Sequence, residues 1–449
     1  MYRMSAPKEP RMILTVDQLA DALQTLFTTE ADQAAQDSGM IRRRRKLTGA
    51  AFVQAVVFHW LDDPAAPIDQ VIEDLDLTEP AFNERLDARA VDCLRRVLER
   101  ALNYLFAARP EAIPLLRRFA AVAAEDVTIV GLPAELAGSF PGCGGSDPEA
   151  GRAGWKLLTR WDVTTGRLEV LPPAPARDSE RALTAGLPPA PANSLRLCDL
   201  GSFDLRRLAD DQRAGIHFIS RAPALLNVQV GEPAAVNLTA WLDRQVADRI
   251  DTEVVLRSQD RLPCRLIALR VPEDVAARRL RRLRKKLRKK GRKLSERQRV
   301  MCQWTVLITD LKAAAFTLEE ICVLYRVRWQ VELLYKAWKS GGGLGRTRGR
   351  KAGRVLCEAY AKLLAMVAQH WGTLLRGGPL CGVSQVRAAR RVKRLALQIA
   401  RALSDPEGLR RELETLRARL RRLPRRGRRK KQPSTRQLLF VPRLPKTAA

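Results

Sequence analysis

Histidine is scarce, with only His59, His217 and His370 in 449 residues, and the eight cysteines stand singly with no C-x-x-C pair. A zinc site needs clustered Cys and His ligands, so these spacings argue against one. Isolated thiols of this kind read as small buried hydrophobes in a reducing compartment. No apolar run approaches the ~18 residues needed to span a bilayer, and Met1 to Pro10 carries no signal-peptide pattern. The chain therefore reads as cytoplasmic. Acid is also in short supply: 49 Asp and Glu face 80 Lys and Arg, a net charge of +31. Self-repulsion of that size implies a polyanionic partner, and the missing membrane span favours nucleic acid over a lipid surface. Hydrophobic residues make up 46% of the chain, which excludes wholesale disorder, and the length fits two to four domains.

The first 110 or so residues have helical periodicity. Thr15 and Gln18 form a T-x-x-Q capping box ahead of Leu19, Leu23 and Leu26. The run from Phe52 to Leu61 is apolar nearly all round and predicts a buried helix, with His59 as a core histidine. A turn at Leu75 to Thr78 precedes a long amphipathic segment from Pro80 to about Leu102, an arrangement compatible with either a helix-turn-helix or a plain bundle. From Arg117 the period shortens. Strands are predicted at Glu125–Val130, Trp155–Val163, Arg167–Leu171, Leu195–Cys198, Ile216–Ser220 and Trp304–Thr309, with further β-type sequence from Leu225 to Leu269. Between Arg278 and Lys293, 12 of 16 residues are basic, while Leu280, Leu283 and Leu287 keep helical spacing. The stretch from Arg417 to Lys431 holds ten basic residues and no acid, the composition of an arm ordered by DNA.

The most informative segment is Leu324 to Lys339, LYRVRWQVELLYKAWK. On a single helix, Tyr325, Arg328, Glu332, Lys336 and Lys339 share one arc, and Val327, Val331, Leu334 and Trp338 line the opposite side. One carboxylate thus sits among several potential phosphate contacts. That is the arrangement of a hard oxygen ligand for Mg²⁺ beside a DNA backbone held by Arg and Lys.

The spacing Y-x2-R-x3-E-x6-K at Tyr325, Arg328, Glu332 and Lys339 resembles the YREK pattern of DDE transposases from bacterial and archaeal insertion sequences. These form the insertion-sequence-four group, with the transposon-five-like enzymes. The continuation KAWKSGG at 336–342 resembles that group too. Such enzymes carry two further carboxylates on a ribonuclease-H-like sheet. Asp126, in D-V-T, resembles the first aspartate, and Asp199, in D-x-G after Leu195–Cys198, resembles the second. The aromatic that usually follows stands one place late, at Phe203, which leaves Asp204 as a competitor.

The resemblance implies an α/β fold: a ribonuclease-H-like mixed-sheet core with a β-rich insertion, flanked by helical terminal regions. It divides the chain into a helical N-terminal domain (1–112), core (113–224), insertion with basic helix (225–300), core with the YREK helix (301–375) and a basic helical C-terminal region (376–449). It further implies that Asp126, Asp199 and Glu332 hold two Mg²⁺ ions, which Mn²⁺ can replace, and that Tyr325, Arg328, Lys336 and Lys339 contact phosphates. Trp304 is expected to stack on a flipped base or to sit in the core, with Trp329 a second stacking candidate. The implied activity is cut-and-paste transposition through a hairpin, by a nucleoid-associated homodimer bound to double-stranded terminal inverted repeats and to target DNA. The alternative is a catalytically inactive or domesticated transposase that only binds DNA. A tyrosine recombinase needs an Arg/His/Arg cluster and a rolling-circle nuclease an H-x-H pair, and three scattered histidines supply neither.

Overall fold

Eleven strands are laid down in the computed structural model, which describes residues 14–42, 47–104, 106, 113–144, 152–231, 234–256, 261–378, 380–424 and 433–443. They are β1 (Val122–Leu132), β2 (Ala153–Asp162), β3 (Leu168–Val170), β4 (Ala174–Pro175), β5 (Leu195–Cys198), β6 (His217–Arg221), β7 (Asn227–Gln229), β8 (Val236–Asn237), β9 (Arg249–Leu256), β10 (Leu262–Arg270) and β11 (Trp304–Thr309). Both β5 and β11 have the bounds read from their apolar runs. The chain is mixed α/β and divides into two compact units, one of residues 1–112, 127–186 and 330–427, the other of 113–126, 187–329 and 428–449. Of the predicted basic arm, Arg417 to Arg421 end the helix Pro406–Arg421, and residues 425–431 lie outside the described residues.

The second unit is built on a mixed sheet. From the first half of β1 its strands run β1-β5-β6-β11-β10-β9-β7-β8. The β1/β5 and β5/β6 pairs are parallel, and β6/β11, β11/β10 and β10/β9 are antiparallel. Parallel neighbours need a crossover, supplied between β5 and β6 by the helix Leu205–Arg213. The strands of the 225–300 segment are hydrogen-bonded onto β11, so they prolong this sheet within the same unit. One continuous core of Phe218, Val228, Val254, Leu266, Trp304, Val306 and Ile308 fills one side of it. The basic run becomes the helix Glu273–Arg288, in which only Val275 is buried.

The first unit is mostly helical. Thr15 and Gln18 close the expected capping box on Val16–Phe27. Phe52 to Leu61 forms most of the buried helix Gly49–Asp62, where His59 Nδ1 lies 3.0 Å from the Ala55 carbonyl, a core position. The segment expected to run unbroken from Pro80 divides into Glu79–Glu84 and Ala88–Asn103. Asp87 is the reason: its carboxylate accepts from the N–H groups of Arg89 and Ala90, at 2.9 and 3.1 Å, and so starts a new helix. The helix Ala352–Leu374 is buried at every residue from Cys357 onward and forms the centre of this unit, against Gly49–Asp62 and Ala88–Asn103. Among the described residues no helix is long and apolar enough to cross a membrane. All eight cysteines are free, and six are buried.

Candidate active site

Asp126 lies within β1, and Asp199 directly follows β5, its parallel neighbour. The β1/β5 ladder pairs Val122 with Leu195, Ala123 with Arg196 and Ala124 with Leu197. Asp126 and Asp199 each stand two residues beyond the last of these pairs. Strand alternation puts Asp126 on the face of β1 that carries Ala124, and Asp199 leaves β5 with an extended backbone. Glu125 and Arg196 therefore share the other face, and there they form a charged cluster. Glu125 is completely buried (0% exposed) and accepts from Arg207 at 2.9 Å, with Arg196 at 3.7 Å. Arg196 also pairs with Asp211. Arg207 and Asp211 belong to the helix Leu205–Arg213, so the cluster ties β1, β5 and that helix together beneath the two aspartates.

Arg328 completes this side of the site. It is buried, and its Nη1 approaches Asp199 Oδ2 to 3.9 Å while its guanidinium lies 5.9 Å from the Tyr325 ring centroid. Burial pushes the Tyr325 phenol well above the usual tyrosine range, so it stays protonated and is a poor nucleophile. Asp204, the competitor for the second position, instead caps Leu205–Arg213 by accepting from the Arg206 N–H at 3.0 Å.

The YREK segment departs from a single helix. It forms Leu318–Val327 and Trp329–Gly341, separated at Arg328, whose N–H bonds three residues back to the Tyr325 carbonyl at 3.1 Å. That tightening to an i→i−3 bond interrupts the α-helical ladder. Arg328 is consequently buried beside Asp199 rather than displayed. The apolar stripe is as read, with Val327, Val331, Leu334 and Trp338 all buried. Lys336 and Lys339 are exposed and Glu332 is half-buried, all three in the first unit, whereas Asp126, Asp199, Tyr325 and Arg328 belong to the second.

The tryptophans divide clearly. Trp304 is 1% exposed and packed in the core, with the Arg270 guanidinium 4.3 Å from its ring. Stacking on an extruded base needs an open indole face, so in this structure Trp304 is a core residue. Trp329 is 56% exposed.

Residues 119–368, more than half of the chain, match the family model described as Transposase DDE domain. The chain belongs to the transposase DDE domain family. The matched span takes in Asp126, Asp199 and the whole YREK segment. Over 375 residues the chain is 24% identical to the transposase for insertion sequence element IS231F of Bacillus thuringiensis subsp. israelensis, covering 77% of this chain and 78% of the other. It is 23% identical over 369 residues to the transposase for IS1151 of Clostridium perfringens, covering 75% and 76%. A shorter stretch of 103 residues, 23% of this chain and 28% of the other, is 32% identical to the putative transposase InsL for IS186A of Escherichia coli K12.

Members of this family cleave DNA with the help of divalent metals, and carboxylates suit that task, since Mg²⁺ takes hard oxygen donors. Asp126 and Asp199 are carboxylates of that chemical kind, each two residues beyond the β1/β5 pair Ala124–Leu197. Among the described residues no group of three or more His, Cys, Asp or Glu side chains lies close enough together to hold a metal. Sequence reasoning overlooked the Glu125–Arg196–Arg207 cluster. Its signal was an acid directly before Asp126 and a base three places before Asp199, but their pairing appears only once the strand register is known.

Proposed function

We infer that the chain is the cut-and-paste transposase of a prokaryotic insertion sequence, of the insertion-sequence-four (YREK) group, acting on its element's terminal inverted repeats as a homodimer in the nucleoid. The observation that carries this reading is the β1/β5 offset, which continued two residues would bring Asp126 level with Asp199, inside the span that matches the DDE family. It is supported by insertion-sequence transposases that align over about three quarters of their own length.

Asp126, Asp199 and Glu332 would hold two Mg²⁺ ions, or Mn²⁺ in their place. Such ions, when bound, activate water or a DNA 3′-hydroxyl and stabilise the departing oxygen of a phosphodiester. The protein's own groups do the rest. Arg328 offsets the charge of Asp199 and offers a fork to a phosphate next to it. Lys336 and Lys339, on an exposed helix face, fix the phosphates at the element end. Tyr325 keeps its proton and serves as a contact. Trp329 offers an open indole for an extruded base during a hairpin stage, and the basic helix Glu273–Arg288 lies along the DNA backbone.

The test compares the wild type with Glu332→Gln on a labelled duplex bearing the element's end, with Mg²⁺ or Mn²⁺ and with EDTA. Metal-dependent nicking or hairpin formation that disappears in the variant, with DNA binding retained, is expected. Equal binding by both proteins with no cleavage by either would overturn the enzymatic reading.

A further inference from the structure

Between Glu332 and Glu358 the chain has seven basic residues and no acid. Four of them, Arg346, Arg348, Arg350 and Lys351, lie in the glycine-rich segment GGGLGRTRGRK at 341–351 that joins Trp329–Gly341 to Ala352–Leu374. All four are exposed, and none forms an ion pair among the described residues. Four unpaired like charges within six residues repel one another, and a flexible loop would relieve that by spreading them apart.

This loop is instead fastened at its backbone from below. Lys362, 1% exposed in the central helix of the first unit, donates from Nζ to the Arg346 carbonyl. Glu358, one turn earlier, accepts from the Arg348 N–H at 3.1 Å and lies 3.5 Å from Lys362. A buried ion pair brings little net stability, and this one is spent on two backbone groups of the loop. The glycines complete the fit: a Cβ at Gly342 would stand 2.1 Å from Met366 Sδ, and one at Gly353 only 2.4 Å from the Leu86 carbonyl oxygen. The fold thus holds a row of unpaired cations in place, on the stretch of chain that follows Lys336 and Lys339.

We propose that residues 346–351 form a second phosphate-gripping element, which engages the DNA backbone without reading sequence, and that Glu358 and Lys362 set its shape. The proposal rests on the transposase reading for its partner, double-stranded DNA. Lone phosphates would gain little from a row of this kind, whereas successive backbone phosphates match several cations at once.

The experiment measures duplex binding by the full chain in EDTA, over a range of KCl concentrations, for the wild type and for Arg346→Ala/Arg348→Ala/Arg350→Ala. Each phosphate contact contributes about 0.9 to the slope of log Kobs against log[KCl]. The triple variant is expected to lose about 2 to 3 from that slope, with affinity at moderate salt down about 100-fold. An unchanged slope overturns the proposal. Should the triple variant fail to fold, the three single variants read the same quantity at about 0.9 each. EDTA keeps the two inferences apart. A wild type that binds with the expected slope yet never cuts with metal counts against the transposase reading and leaves the loop standing, whereas normal cutting with an unchanged slope does the reverse.

Discussion

Ala124 faces Leu197 across the parallel β1/β5 pair, and Asp126 and Asp199 each stand two residues further along. The offset gives the two carboxylates equivalent positions, Asp126 within β1 and Asp199 just past β5, while Glu125 and Arg196 pair across the same two strands. The alternation of the pleat turns Glu125, which fastens β1 to Arg196 and Arg207, to the face opposite Asp126.

Asp199 and Asp204 should therefore respond to substitution in opposite ways. Asp199→Asn keeps the size of the side chain and removes the charge proposed to hold metal, so cleavage should fall at least about 100-fold with the melting temperature nearly unchanged. Asp204→Ala removes a helix N-cap and should cost about 1 kcal/mol of stability while cleavage persists. Denaturation curves and cleavage assays on the two variants decide the matter. Lost cleavage in Asp204→Ala with full cleavage in Asp199→Asn would reverse the assignment.

Glu125 carries a structural prediction of a different kind. It is fully buried between two arginines. Removing one member of a buried charged cluster leaves the others uncompensated, so Glu125→Ala should destabilise by about 3–5 kcal/mol. Chemical denaturation measures this directly. A loss under 1 kcal/mol would mean that Arg196 and Arg207 find other partners.

Much of this architecture is legible in the residues. Leu195–Cys198 and Trp304–Thr309 are short apolar runs between turn-forming residues, and burial of such runs leaves little choice but a strand. The stripe of Val331, Leu334 and Trp338 is buried because helical spacing puts it on one side. What could not be read depends on partners distant in the chain. The interruption at Arg328 replaces one hydrogen bond by another and leaves the apolar period intact, so no pattern announces it. Trp304 shows the same limit: its composition suits a core or a stacking surface equally, and only the packing of β11 on its neighbours decides. A Glu–Lys pair at i,i+4 is ordinarily an exposed helix feature, and the burial of Glu358 and Lys362 under the loop at 346–348 is a property of the folded unit.

The two tryptophans give a paired experiment. Trp304→Ala empties a large volume from the core and should cost about 3–5 kcal/mol, lowering activity only through folding. Trp329→Ala should change stability by less than about 0.5 kcal/mol. If Trp329 stacks on an extruded base, its loss should slow hairpin formation by roughly 10-fold or more, in keeping with about 1–3 kcal/mol for a base-aromatic stack. Nicking and hairpin formation followed separately distinguish that effect from general damage, and equal slowing of both steps would count against stacking.

His370 predicts a pH dependence with a definite sign. It is buried in Ala352–Leu374, edge-on to Trp161, with Nε2 2.8 Å from the Gly166 carbonyl. Burial disfavours the imidazolium and lowers its pKa to about 4 from the ordinary 6.5. As pH falls below about 6.5 the unfolded chain takes up a proton that the folded chain refuses until about pH 4. Stability due to the neutral ring is therefore fully present above about 6.5 and is lost progressively down to about 4, by roughly 2–3 kcal/mol. Carboxylates titrate over the same range, so the useful quantity is a difference. His370→Gln retains a donor for Gly166 but cannot be protonated, and the stability of wild type minus variant should shrink by that amount between pH 7 and pH 4.5. A constant difference would show that the folded protein accommodates the charged ring, with the proton shared or the helix opened around it.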